Sequence, residues 1–187
     1  MVVTVPGIES RRLTLADYEA LPDDQDYEIV EGILFVAPRA RALHQIVASR
    51  LAAFLIMYVE AENLGVVVPD ADLIIDAHNT YVSPDIMLFL GDRMAAIDRT
   101  DWLRVLPDLI VEVISPASTT HDQRTKRDIY ARVGVPHYWI VYPQTQTMSE
   151  YVLHADGLYH ERTTHAHDTF TSALLPDLHI DLPRLFR

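Results

Sequence analysis

Between residues 40 and 63 the apolar positions Leu43, Ile46, Val47, Leu51, Phe54, Leu55 and Tyr58 keep helical spacing. They predict one long helix, with Gly65 as its stop. Residues 66–68, 73–75 and 81–90 then read as strands, the last two joined by a turn through Asp76, Ala77, His78 and Asn79. Pro84 lies inside the third and cannot donate to a ladder, so Asp85 is expected where that strand bends or meets an edge. Residues 93–103 connect onward with some helical character. Leu109, Ile110, Val111, Val113 and Ile114 form a β-branched run of the kind buried on both faces of a sheet. An amphipathic helix follows Ser115, Pro116, Ala117 and Ser118 and ends at Gly134, and residues 136–142 read as another strand. The order is helix, three or so strands, helix, strand.

The flanks differ in character. Thr14, Leu15, Ala16 and Asp17 resemble a capping box with Asp in place of Glu, opening a short helix to about Leu21. Residues 27–30 and 33–36 predict a hairpin around Glu31 and Gly32. Residues 148–153 and 158–162 predict a second hairpin around Asp156 and Gly157, and residues 182–186 a docked terminal turn. No internal repeat, low-complexity run or linker divides the chain. The expectation is one α/β domain over 1–187, a mixed sheet flanked by helices. Its core spans about 40–143, with an N-terminal helix and hairpin at 13–36 and a C-terminal extension at 148–187.

Composition narrows the chemistry. At 187 residues and 49% hydrophobic, such a domain buries roughly 70% of its unfolded surface. The absence of cysteine excludes disulfides, thiolate metal sites and a Cys nucleophile, and fits a cytoplasmic location. The longest apolar stretch, residues 51–59, is short for the ~20 residues of a bilayer span, so no membrane partner is expected. A net charge of −12 counts against non-specific coating of nucleic acid while leaving room for a local basic groove. Apolar excess in the N-terminal hairpin and the tail suggests a homo-oligomer, a dimer in the simplest case.

Glu112 interrupts the buried run, and an unpaired carboxylate there would cost several kcal/mol. It calls for a cation, a metal or a dense set of donors. Lys126 is the only lysine beside fourteen arginines. An ammonium differs from a guanidinium in being compact and able to change protonation state, so Lys126 is a candidate for chemistry. Asp122, Lys126 and Tyr130 share one helix face at i, i+4 and i+8. If the strands of Asp85 and Glu112 are neighbours, two like charges face each other and favour a cation between them. Magnesium suits them, since it takes hard oxygens and keeps waters. The Val113 carbonyl could add a third oxygen. Lys126 could orient or deprotonate an attacking water and neutralise charge on a phosphate, which implies phosphodiester hydrolysis.

Six pieces occur in order: Tyr27-Glu28-Ile29-Val30-Glu31-Gly32; His44-Gln45; Ser83-Pro84-Asp85; Pro107-Asp108-Leu109-Ile110-Val111-Glu112-Val113-Ile114-Ser115-Pro116; Asp122 with Lys126 and Tyr130; and Gly134-Val135-Pro136-His137-Tyr138-Trp139-Ile140-Val141. Together they resemble the PD-(D/E)xK restriction-endonuclease-like superfamily, and within it the bacterial Uma-two family of endonucleases. The resemblance implies a core of order α-β-β-β-α-β and a magnesium- or manganese-dependent endonuclease acting on DNA. It implies Asp85 and Glu112 as metal ligands, and Lys126 as the catalytic lysine, displaced from strand to helix. Glu31 matches the acid of the N-terminal motif and stands as a further ligand or supporting group. Asp122, Tyr130 and His44 are supporting residues. Arg39, Arg41, Arg124, Arg127 and Arg132 are candidate phosphate contacts. The superfamily pattern places lysine two residues after the acid, where this chain has Ile114, so Lys126 must substitute in space.

Plainer readings stand beside these. Glu112 could pair with a buried arginine, and Lys126 with Asp122 on the helix surface. His165, His167, His154 and His160 could form a zinc cluster, though no acid or cysteine falls at ligand spacing around them. A nuclease fold that only binds, or one that hydrolyses a smaller phosphate ester, would use the same residues.

Overall fold

The computed structural model describes residues 11–22, 25–37, 41–115, 120–164 and 167–187. The first helix, α1 (Leu15–Glu19), starts as the Thr14 motif predicts. The Asp17 carboxylate accepts the Thr14 amide and hydroxyl, each at 2.8 Å. β1 (Asp26–Val30) and β2 (Ile33–Ala37) form the predicted hairpin, turning through Glu31 at φ 50° and Gly32 at φ 79°. Two successive left-handed residues match the twist of the flanking strands. Gly32 is also required by space, because a Cβ there would lie 2.5 Å from Arg12 Cβ.

The long helix is α2 (Ala42–Ala61). Its stop is not Gly65: Asn63 takes the left-handed conformation after the last turn, at φ 51°. Gly65 opens β3 (Gly65–Pro69) instead, where a Cβ would come within 2.0 Å of the Phe89 carbonyl oxygen. β4 (Leu73–Ile75) and β5 (Thr80–Val82) pair through a turn that ends on left-handed Asn79, φ 43°. The predicted strand at 81–90 is therefore two strands. β6 (Ile86–Leu90) begins only after Ser83, Pro84 and Asp85, and it lies in a different sheet from β5. Within the connecting segment the helical part is short, α3 (Gly91–Ala95).

β7 (Leu109–Val113) carries Glu112, and α4 (Thr120–Val133) carries Lys126 and stops at Gly134, φ 88°. β8 (His137–Tyr142), β9 (Thr147–Leu153) and β10 (Tyr159–Thr164) follow. The tail adds β11 (Thr169–Thr171), β12 (His179–Asp181) and the terminal helix α5 (Leu182–Phe186). The main sheet runs β10-β9-β8-β7-β6-β3, and a second sheet runs β2-β1-β5-β4. β7 and β8 are parallel and joined by α4, whereas the other pairs in the main sheet are antiparallel. With β4, β5 and the short α3 set aside, α2-β3-β6-β7-α4-β8 is the α-β-β-β-α-β order expected.

Strand alternation assigns the faces. Leu109, Val111 and Val113 pack with Val47, Leu51, Leu55 and Val59 of α2 and with Leu182, Leu185 and Phe186 of the tail. Ile110 faces the opposite way, toward Ile129 and Tyr130 of α4 and toward Val30, Leu73 and Val82 of the second sheet. Glu112, two residues on, shares that face. The outer side of the second sheet is covered by α1 through Leu15 and Tyr18. α2 is long and apolar enough to cross a membrane by length and composition, which the 51–59 stretch does not reveal, and its buried residues serve as a core helix against the sheet. The core consumes Leu182, Leu185 and Phe186 of the tail, and the exposed apolar residues of the two halves of the oligomer expectation are Ile33 on the N-terminal hairpin and Leu158 in the C-terminal extension among the described residues.

Candidate active site

The site lies where the two sheets meet, at the end of β6 and β7. Extending the antiparallel register of these strands, in which Ile86 faces Val111, sets Asp85 opposite Glu112. Asp85 Oδ2 accepts the Val113 amide at 2.6 Å, so the carboxylate is pinned to the next strand by the residue after Glu112. His44 Nε2 stands 3.2 Å from Asp85 Oδ1. The Asp85 hydrogen bond is the main reason the His44 pKa is raised, against the pull of burial, and the Val113 carbonyl adds to it. His44 thus sits against two oxygen groups expected to hold a metal, and its other ring nitrogen, Nδ1, is buried with no hydrogen-bond partner among the described residues.

Glu112 is 8% exposed and turned toward α4. Lys126 Nζ lies 3.3 Å from Glu112 Oε1, and the Tyr130 hydroxyl donates to the same oxygen at 3.1 Å. The i, i+4 spacing on α4 delivers both groups to one carboxylate. Burial raises the Glu112 pKa; Asp85 and Glu28 push it the same way, and Lys126 opposes them. Burial likewise lifts the Tyr130 pKa well above the phenol value, which keeps its hydroxyl a neutral donor rather than a nucleophile.

Sequence reasoning gave no role to Glu28. This carboxylate, 6% exposed, takes the shorter of the two Lys126 contacts: Nζ is 2.8 Å from its Oε1, which also accepts the Ser83 amide at 3.2 Å. In β1, Glu28 and Val30 share the face turned to the main sheet, while Ile29 faces α1. Glu31 does not join them. Its side chain pairs with Arg132 at the hairpin turn, and its main-chain carbonyl accepts from Arg12. The signal available was the alternation of β1, which puts Glu28 and Glu31 on opposite faces.

The remaining candidates divide. The Asp122 side chain, Arg39 and His165 lie outside the described residues. Arg127 pairs with Asp128 and stacks over the Tyr151 ring, so it and Arg132 are already engaged. Arg41 precedes the first turn of α2, and Arg124 lies on α4. Ile114 is no gap in the design, since its amide continues the pairing to Val141 at 2.8 Å. His154 and His160 stack at 3.8 Å with Asp156 bonded to His160. Among the described residues no group of three or more His, Asp or Glu is spaced to hold a metal by itself.

Comparison with known proteins agrees with this architecture. The profile of the Uma2 family, described as "putative restriction endonuclease", matches residues 15–183. Among solved structures the chain is similar to a "putative nuclease belonging to DUF820" from Anabaena variabilis. The two share 17% identity with a TM-score of 0.77, over 93% of this chain and 97% of that one. That likeness carries the fold. No curated protein matches the chain. The match covers Glu28, Asp85, Glu112 and Lys126 alike, and the chain belongs to the Uma2 family of restriction-endonuclease-like proteins.

Proposed function

We propose that this protein is a magnesium- or manganese-dependent endonuclease that hydrolyses phosphodiester bonds of DNA. The observation that carries the reading is the meeting of Asp85, Glu112 and Lys126, far apart in sequence, at one end of two adjoining strands. The donor set fits a hard divalent cation. Asp85, Glu112 and the Val113 carbonyl are oxygen ligands, and a cation beside them would relieve the repulsion that Asp85 exerts on Glu112. The small number of protein ligands suits magnesium, which holds few carboxylates and keeps water.

When bound, such an ion supplies Lewis-acid stabilisation of the phosphoryl oxygens. Lys126 supplies the remaining positive charge, placed to orient the attacking water and to meet charge developing on the phosphate. Tyr130 holds Glu112 from the helix side, and His44 holds Asp85 from α2. Arg41 and Arg124 are candidate contacts to the DNA backbone. A cytoplasmic homodimer is part of the same reading, supported by the cysteine-free sequence and by Ile33, 48% exposed on the hairpin. Sedimentation as a monomer removes the dimer without touching the nuclease.

Asp85→Ala, Glu112→Ala and Lys126→Ala are each expected to abolish manganese-dependent cleavage of DNA while circular dichroism stays native. Cleavage at the wild-type rate by these variants overturns the assignment. A silent binding module is the second reading, favoured by the net charge of −12 and by the engagement of Arg127 and Arg132. Manganese uptake in calorimetry with no cutting of single- or double-stranded substrates selects it.

A further inference from the structure

Among the described residues Lys126 reaches two carboxylates, and the sharing is unequal. Its Nζ is 2.8 Å from Glu28 Oε1 and 3.3 Å from Glu112 Oε1. Shorter charge-assisted bonds are the stronger ones, so the ammonium is drawn toward Glu28. Glu28 can hold it because Glu28 is itself held. The Ser83 amide donates to the same Oε1 at 3.2 Å, and the Ser83 hydroxyl donates to Asp72 Oδ1 at 2.5 Å. Ser83 belongs to the link between the two sheets, two residues before Asp85. One short stretch of chain therefore bonds both the lysine's partner, through Ser83, and β7, through Asp85.

From this geometry we infer that Glu28 is a positioning residue that keeps Lys126 from seating fully on Glu112, so that the Glu112 carboxylate can still take a divalent ion. The inference rests on the metal-dependent reading above. An ammonium seated fully on Glu112 would compete with a cation for the same oxygens. Glu28 prevents that competition by offering the lysine a buried, pre-placed acceptor on a different sheet. The second sheet thereby acts on the metal site through α4, although it contributes none of the proposed ligands.

The test is manganese binding by titration calorimetry with wild-type protein, Glu28→Gln, Glu28→Asp, Lys126→Met and the Glu28→Gln/Lys126→Met double variant, with thermal unfolding run on each. Glu28→Asp keeps the charge but withdraws the oxygen by one methylene. Both single Glu28 changes are expected to weaken manganese binding about ten- to a hundredfold, as loss of a supporting group does. In the Lys126→Met background the effect of Glu28→Gln is expected to vanish, since no ammonium remains to be held. Unchanged affinity in Glu28→Asp, or an equal loss with and without Lys126, overturns the inference and leaves Glu28 a simple charge or a direct ligand. Wild-type protein that takes up no manganese removes the metal reading beneath it, a separate failure visible before any variant is made.

Discussion

Asp85 and Val113 are joined across two antiparallel strands, side-chain oxygen to main-chain amide at 2.6 Å. The bond does two things at once. It ends the β6–β7 ladder with a side chain in place of a carbonyl, and it fixes the acid beside Glu112. Asp85→Ala should leave the Val113 amide without its partner and cost about 1–3 kcal/mol of stability. Asp85→Asn retains an acceptor and should cost less, while losing metal-dependent cleavage equally. Urea unfolding beside a cleavage assay separates the two roles, and equal stability loss in both variants would show that the amide bond contributes nothing.

Tyr130 reaches the site only through its hydroxyl bond to Glu112, and its ring is packed edge-on against Tyr138 at 5.3 Å. Tyr130→Phe keeps that packing and removes one neutral donor to a buried carboxylate. A stability loss of about 1–2 kcal/mol is expected, with cleavage reduced modestly rather than abolished. Complete loss of turnover in a folded Tyr130→Phe protein would give the hydroxyl a direct part in proton transfer.

Two histidines should drive stability in opposite directions with pH. The His137 side chain is 12% exposed, and burial holds its pKa below the ordinary 6.5. The unfolded chain then binds the proton first, so stability falls as pH drops through about 6.5 and levels off below the folded-state value. The His44 pKa is raised, chiefly by the Asp85 hydrogen bond, so its contribution is full below the unfolded value and is lost as pH rises through the folded one. Urea midpoints collected from about pH 5 to 8 should show a flatter acid limb for His137→Asn and a flatter upper limb for His44→Asn. An unchanged acid limb in His137→Asn assigns that titration elsewhere.

Glu150 is a third buried acid, 1% exposed, and its role is structural. It accepts the Ser172 hydroxyl at 2.6 Å, the Ala173 amide at 3.0 Å and Trp139 Nε1 at 3.3 Å, with Arg162 at 3.0 Å on its other oxygen. These bonds tie the tail to β8 and β9. Glu150→Ala strands several buried donors and should cost about 3–5 kcal/mol, with limited proteolysis near residue 172 as the early sign. Tail resistance equal to wild type would mean that the Trp139–Phe170 ring contact, 4.8 Å between centroids, anchors it alone.

Much of the molecule was written in local pattern. Helical spacing marked α2 and α4, alternation and turn residues marked the hairpins, and an acid inside an apolar strand marked Glu112, because each of these is a preference of neighbouring residues for one backbone geometry. The i, i+4 step from Lys126 to Tyr130 was equally local, and it delivers both to one oxygen of Glu112. What only the tertiary structure decided was which face meets which. A reader of residues 81–90 cannot see that Ser83, Pro84 and Asp85 carry the chain from one sheet to another, since the apolar pattern continues on both sides of the proline. Nor does the segment around Glu28 and Glu31 say which acid turns inward. That depends on the second sheet folding over β7 and α4, a contact between residues 28 and 126 that no local preference encodes.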